Sequence, residues 1–165
     1  MIVRKLNYNK YLLLTGFFFT LHNIEESVGF AYFTYPQNIS LPFCPPSKMQ
    51  MILSIVILTV IVWGIFLFAF YQKNEIIKRN ILAIFSVGLL FNAIVPHIAA
   101  TIFLQRYTPA VVTSAVLYIP FTLYVIHRLY RSFLKAKEFF ITVVSGMIIL
   151  ILLVQLTQYL MSCIF

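Results

Sequence analysis

Five apolar runs, each long enough to cross a bilayer as a helix and separated by short segments that hold most of the charge, leave this chain one architecture: a helical membrane bundle. In lipid every backbone N–H and C=O must be satisfied within the protein, so a spanning segment is a helix or part of a closed barrel. Runs of this length suit helices, since a barrel strand needs only about 9–11 residues. Helices are expected over 11–35, 50–72, 80–104, 109–131 and 139–162. Together they use up the 165 residues as one membrane domain, 1–165, with no soluble domain. Charged residues make up 10% of the chain, against about 25% in soluble proteins.

The net charge of +8 does not mark a nucleic-acid binder, because the basic residues fall between the apolar runs. Arg4, Lys5, Lys10, Lys73, Lys78, Arg79, Arg128, Arg131, Lys135 and Lys137 lie on one side of the expected bundle, and Lys48 and Arg106 on the other. Lys and Arg concentrate in cytoplasmic loops. Five spans with the N-terminus inside and the C-terminus outside satisfy every loop, and the expected location is the cell membrane, multi-pass. Arg4, Lys5 and Lys10 precede an apolar stretch as in a signal peptide, but no small-x-small cleavage pattern follows.

Against this background the segment His22-Asn23-Ile24-Glu25-Glu26 is costly. A charge near the centre of a membrane helix costs about 2.5–3.5 kcal/mol, whereas each Leu, Ile, Phe or Val gains only about 0.3–0.6. Two of the chain's four acidic residues stand here. Ionisable groups at such depth mark functional sites with partners on other helices. Positions i, i+3 and i+4 share a helix face, so His22, Glu25 and Glu26 are expected to point together. An imidazole with a carboxylate one turn away is a way to build a metal site on a helix.

The third run supplies a second imidazole in Asn92-Ala93-Ile94-Val95-Pro96-His97. Pro96 has no N–H, so the Asn92 carbonyl loses its partner within the helix and needs another. At about 1.5 Å per residue from the inner helix ends, His22, Glu26, Asn92 and His97 overlap in the middle to outer half of the bilayer. Thr108-Pro109 reads as an N-cap and first-turn proline for the fourth helix. Thr113, Ser114 and, on the last helix, Gln155 fall near the same depth. His127, beside Arg128, reads as an interfacial histidine.

The segment from Pro36 to Ser47 holds four prolines and is expected to run extended on the outer surface. It carries Cys44, on the same expected side as Cys163; a bridge is permitted there, and two free cysteines are the expectation. Asn38-Ile39-Ser40 matches a glycosylation acceptor.

His22 to Glu26, placed in the first of several membrane helices, resembles the signature of the HXXEE-motif family of small, mostly prokaryotic membrane proteins. The resemblance extends over nearly the whole chain and takes in Asn92 to His97. It also takes in Tyr107-Thr108-Pro109-Ala110, where alanine stands in place of an expected glycine. The family implies no reaction.

Three functions fit these residues. The first is an intramembrane hydrolase or transferase acting on a lipid-like substrate. His22, His97 and one of the two glutamates, Glu26 or Glu25, would hold Zn²⁺ or another divalent metal, and the other would be the catalytic base. Asn92, Thr113, Ser114 and Gln155 would support the site or touch substrate. The second is a proton-coupled carrier, and the third an accessory membrane protein with a buried polar network. Membrane lipid is the expected partner, with no nucleic acid.

Overall fold

A computed structural model describes residues 6–34, 47–132 and 135–164, and among these every regular element is helical. The elements are α1 (Tyr8–Tyr32), α2 (Lys48–Tyr71), α3 (Glu75–Leu104), α4 (Val111–Tyr130) and α5 (Ala136–Ile164). Each lies within a few residues of its expected range. Of these, α2, α3, α4 and α5 are long and apolar enough to cross a membrane, as expected of a membrane protein. The fifth, α1, has 25 residues but carries Lys10, Glu25 and Glu26. The proline-rich segment with Cys44 and the Asn38–Ser40 acceptor lies outside the described residues, and so does any bridge from Cys44 to Cys163.

Local sequence explains where the helices begin. The Asn7 side chain accepts from the Lys10 N–H at 3.1 Å and starts α1. Ser47 and Gln50 cap α2 reciprocally, each side chain bonded to the other's backbone N–H, at 3.2 and 2.7 Å. Asn74 accepts from Ile76 at 2.9 Å to start α3, with Glu75 favourably placed in the first turn.

The central helix is α3, which packs against each of the other four. Its buried Leu82 and Ala83 meet Leu12 of α1, Phe66 and Ala69 of α2, and Val125 and Leu129 of α4 in one apolar core. Polar ties join α1 to α2: Trp63 donates to Thr20 at 2.8 Å, and Asn23 donates to Thr59 at 2.6 Å. At one end of the bundle Lys78 and Arg79 are buried and paired with Glu75 at 3.2 Å and Glu138 at 2.6 Å. Those two pairs account for half of the chain's four acids. The other half are Glu25 and Glu26.

Pro96 and Pro120 leave their marks on the helices that hold them. In α3 the residues Ala93–Ala99, with Pro96 among them, wind as a π-helix, and in α4 Ser114–Tyr118 do the same just ahead of Pro120. A π turn reaches back five residues, so the carbonyl that a proline strands finds an N–H one residue further on. The two π segments pack against each other. They bring Asn92, His97, Thr113 and Tyr118 to the same level as His22.

Candidate functional site

On a helix that turns about 100° per residue, Glu25 and Glu26 lie on either side of the line through His22, about 60° one way and 40° the other. The structure sends them to different places. Glu25 turns toward the start of α4, and Glu26 turns into a cavity between α1, α2, α3 and α5.

Glu25 caps α4. Its Oε1 accepts from the Val112 N–H at 3.1 Å and the Tyr107 hydroxyl at 2.9 Å, and its Oε2 accepts from the Thr113 N–H at 2.7 Å. Val112 and Thr113 are the second and third residues of α4, whose N–H groups have no partner within a helix and are normally met by the N-cap side chain. Here a side chain from another helix serves. Thr108 is therefore not the cap. Its buried hydroxyl donates to the His97 carbonyl at 3.0 Å, and α4 begins two residues later than expected, at Val111.

The residue in the capping position, Ala110, has φ 65°, in the left-handed region that costs a non-glycine residue about 1–2 kcal/mol. This is where the family resemblance called for glycine. Next to this turn α1 lies directly against Pro109: a Cβ on Gly29 would sit 2.9 Å from the Pro109 Cα. Ala110→Gly is expected to stabilise the protein by up to about 1 kcal/mol, readable as a raised midpoint in thermal unfolding.

Tyr107, in the connection between α3 and α4, is half exposed. Partial burial, followed by its bond to the Glu25 carboxylate, pushes its pKa up to about 12. A phenol whose pKa is higher folded than unfolded contributes stability that is complete below about pH 10 and is lost as pH rises toward 12. The late-ionising part of the tyrosinate absorbance is thus expected to shrink by one tyrosine in Tyr107→Phe.

His22 and His97 are both buried, with ring centroids 4.8 Å apart. His97 Nδ1 lies 2.6 Å from the Pro109 carbonyl, which can only accept, so Nδ1 bears the hydrogen. Thr113 donates its hydroxyl to the Ala110 carbonyl at 3.3 Å and so accepts from His22 Nδ1 at 3.0 Å. Each neutral ring thus has its Nδ1–H tied to α4 or the turn before it. Each turns the Nε2 lone pair inward. The Asn92 amide nitrogen stands between these lone pairs, 3.3 Å from His22 Nε2 and 3.2 Å from His97 Nε2, and its two hydrogens suit both. Plain α-helical winding would set Asn92 and His97 about 140° apart, so the π turn is what makes them neighbours.

Glu26 completes the group, with Oε1 4.0 Å from His97 Nε2. One ligand atom each from His22, Glu26 and His97 can be chosen so that all lie within 4.8 Å of one another, a spacing that can hold a metal ion. The inward Nε2 atoms with outward Nδ1–H groups bonded to a carbonyl and a hydroxyl reproduce the orientation that metal-binding histidines require.

Of the other residues singled out from sequence, Thr113 orients His22 and Gln155 lines the cavity. Ser114 is fully buried, and its hydroxyl has no hydrogen-bond partner among the described residues. His127 is exposed, near the end of α4. Sequence reasoning missed Tyr118, whose ring stacks on His22 at 4.3 Å, and Asn23, which lines the cavity beside Glu26. Asn23 carried a signal, as a second polar residue within the costly segment. Tyr118 carried none, being one of ten tyrosines in an apolar chain.

The fold and site define a class: a helical membrane protein with a buried His/Glu/Asn cluster where three helices meet. The family described as "Protein of unknown function with HXXEE motif" matches residues 13–125, and the chain belongs to that family. It is also 29% identical over 140 residues to "Uncharacterized protein YrkK" of Bacillus subtilis (strain 168), covering 83% of this chain and 87% of that protein. No solved structure matches the chain.

Proposed function

We propose that the protein is a metal-dependent intramembrane enzyme, a hydrolase or transferase acting on a membrane-embedded substrate, in which His22, His97 and Glu26 hold a divalent ion such as Zn²⁺. The observation that carries this reading is the pair of inward Nε2 lone pairs, each fixed from behind through Nδ1, beside the Glu26 carboxylate. Three protein ligands of this kind leave a coordination position open, the pattern of catalytic rather than structural zinc. An ion there would supply a Lewis acid able to polarise a carbonyl and acidify water.

The remaining roles belong to the chain's own groups. Glu26 lines the cavity, so an ion it helped to hold would face a substrate bound there. Glu25 has its oxygens engaged by three donors, so it positions Thr113, and through it His22, and is not the base. Asn92 would give up its contacts to the Nε2 atoms on metal binding and become free to donate to substrate.

The bundle is proposed to cross the cell membrane five times, with α1 as the fifth span and the N-terminus inside. What supports this is the gathering of Lys10, Lys73, Lys78, Arg79, Arg128 and Arg131 at one set of helix ends, with Lys48 and Arg106 at the other. The His/Glu cluster then lies in the outer half of the bilayer.

One observation favours a second reading, a non-catalytic protein stabilised by a buried polar network: the Asn92 amide satisfies both Nε2 atoms without an ion. Titration of metal-stripped protein with Co²⁺ separates the two. The enzyme reading expects saturation at one ion per chain with tetrahedral visible bands, whereas the network reading expects no band and no saturation.

A further inference from the structure

The cavity beside Glu26 has a volume of about 260 Å³, and its lining is graded in polarity. Asn23, Glu26, Asn92 and Gln155 line it near the histidines, while Val62, Phe85 and Met147 line it further toward the end of the bundle that carries Lys78 and Arg79. On α3 the lining runs from Phe85 to Pro96, a span of about 16 Å at 1.5 Å per residue. A bilayer core of about 30 Å gives one leaflet of hydrocarbon a depth of about 15 Å. The cavity is therefore as long as one leaflet's chain.

Phe91 and Ile151 line the cavity and are also exposed on the side of the bundle, at 42% and 48%. The cavity thus reaches the outer face between α3 and α5. In a bilayer that face meets lipid chains and not water. Among the described residues the lining includes no Lys or Arg, and its one acidic residue, Glu26, disfavours an anion. A phosphate head would find no counter-charge there, whereas a carbonyl or hydroxyl head would meet the amides of Asn23 and Gln155, and that of Asn92 once it releases the Nε2 atoms.

We propose that this cavity takes a single-chain lipid with a neutral, carbonyl- or hydroxyl-bearing head, entering sideways between α3 and α5. The head rests at Glu26 and Asn92 and the chain lies along Leu89, Phe85 and Val62. The proposal names the substrate class of the enzyme site and rests on that reading for its chemistry.

The test uses full-length protein in phosphatidylcholine vesicles containing a monoacylglycerol with a mid-chain diazirine. After irradiation, adducts are expected on cavity residues such as Leu58, Leu89 and Leu150, suppressed by excess unlabelled monoacylglycerol. Leu58→Trp, which fills the cavity, is expected to reduce them roughly tenfold. A lysophosphatidic acid probe of the same chain should leave the cavity unlabelled. Adducts confined to outward residues such as Val60 and Leu152, or equal cavity labelling by the phosphate probe, would overturn the proposal. The wild-type adduct map and the competition need no variant, so a misfolded Leu58→Trp leaves them decisive. Metal content measured on the same preparations separates the two ideas. An unlabelled cavity in protein that binds one ion sinks the lipid class alone, and a labelled cavity in protein that binds none upholds it while removing the metal reading.

Discussion

Glu25→Ala is expected to destabilise the folded bundle by about 3 kcal/mol or more, the largest loss from any single surface-accessible change in the site. The carboxylate accepts three hydrogen bonds, and bonds to a charged acceptor contribute about 1.5–3 kcal/mol each. Two of the donors are the otherwise unpaired N–H groups of Val112 and Thr113 at the start of α4. Alanine would leave them without the cap on which the first turn of a helix depends. Glu25→Gln keeps a carbonyl acceptor and is expected to lose less. Unfolding in a mixed-micelle denaturant titration gives the comparison; equal stability of wild type and Glu25→Ala would show that the cap contributes nothing.

Thr113→Val is expected to weaken the proposed metal binding by 10–100-fold while leaving all three proposed ligands in place. Valine copies the shape of threonine and removes the acceptor that holds the His22 Nδ1–H. The ring would then be free to present the wrong nitrogen. Thr113→Ser restores the hydroxyl and is expected to bind nearly as tightly as wild type. A packing role for Thr113 predicts the reverse order, since valine preserves volume better than serine does.

Much of this was legible in the sequence. Apolar run length gave the helices to within a few residues, and the cost of charge in lipid singled out the segment from His22 to Glu26. The need for a partner on another helix led to the second histidine, and the structure places Asn92 and His97 against His22. The roles of the two glutamates were not legible. A shared helix face is a coarse description, and the angle between adjacent residues is large enough to send Glu25 to the α4 N-terminus and Glu26 to the cavity. That α4 is capped from α1 depends on tertiary approach at Gly29 and Pro109, which no local pattern records. The π winding at Pro96 was foreshadowed only as an unsatisfied carbonyl. Its outcome, an imidazole and an amide five residues apart on one face, depends on how the backbone repairs the defect.

The site is built from α1, α3, the connection at 105–110 and α4, all within the residues that the HXXEE family shares. α5 contributes to the cavity through Leu150, Ile151 and Gln155 and lies beyond the matched range. The cavity lining from α1, α2 and α3 lies within the matched range as well.

Elemental analysis of detergent-purified protein, beside a His22→Ala/His97→Ala double variant prepared in the same way and shown by circular dichroism to keep its helices, tests the central claim most directly. About one divalent ion per chain is expected in the wild type and none above background in the variant. Equal metal content in the two, or none in wild-type protein supplied with Zn²⁺, would contradict it.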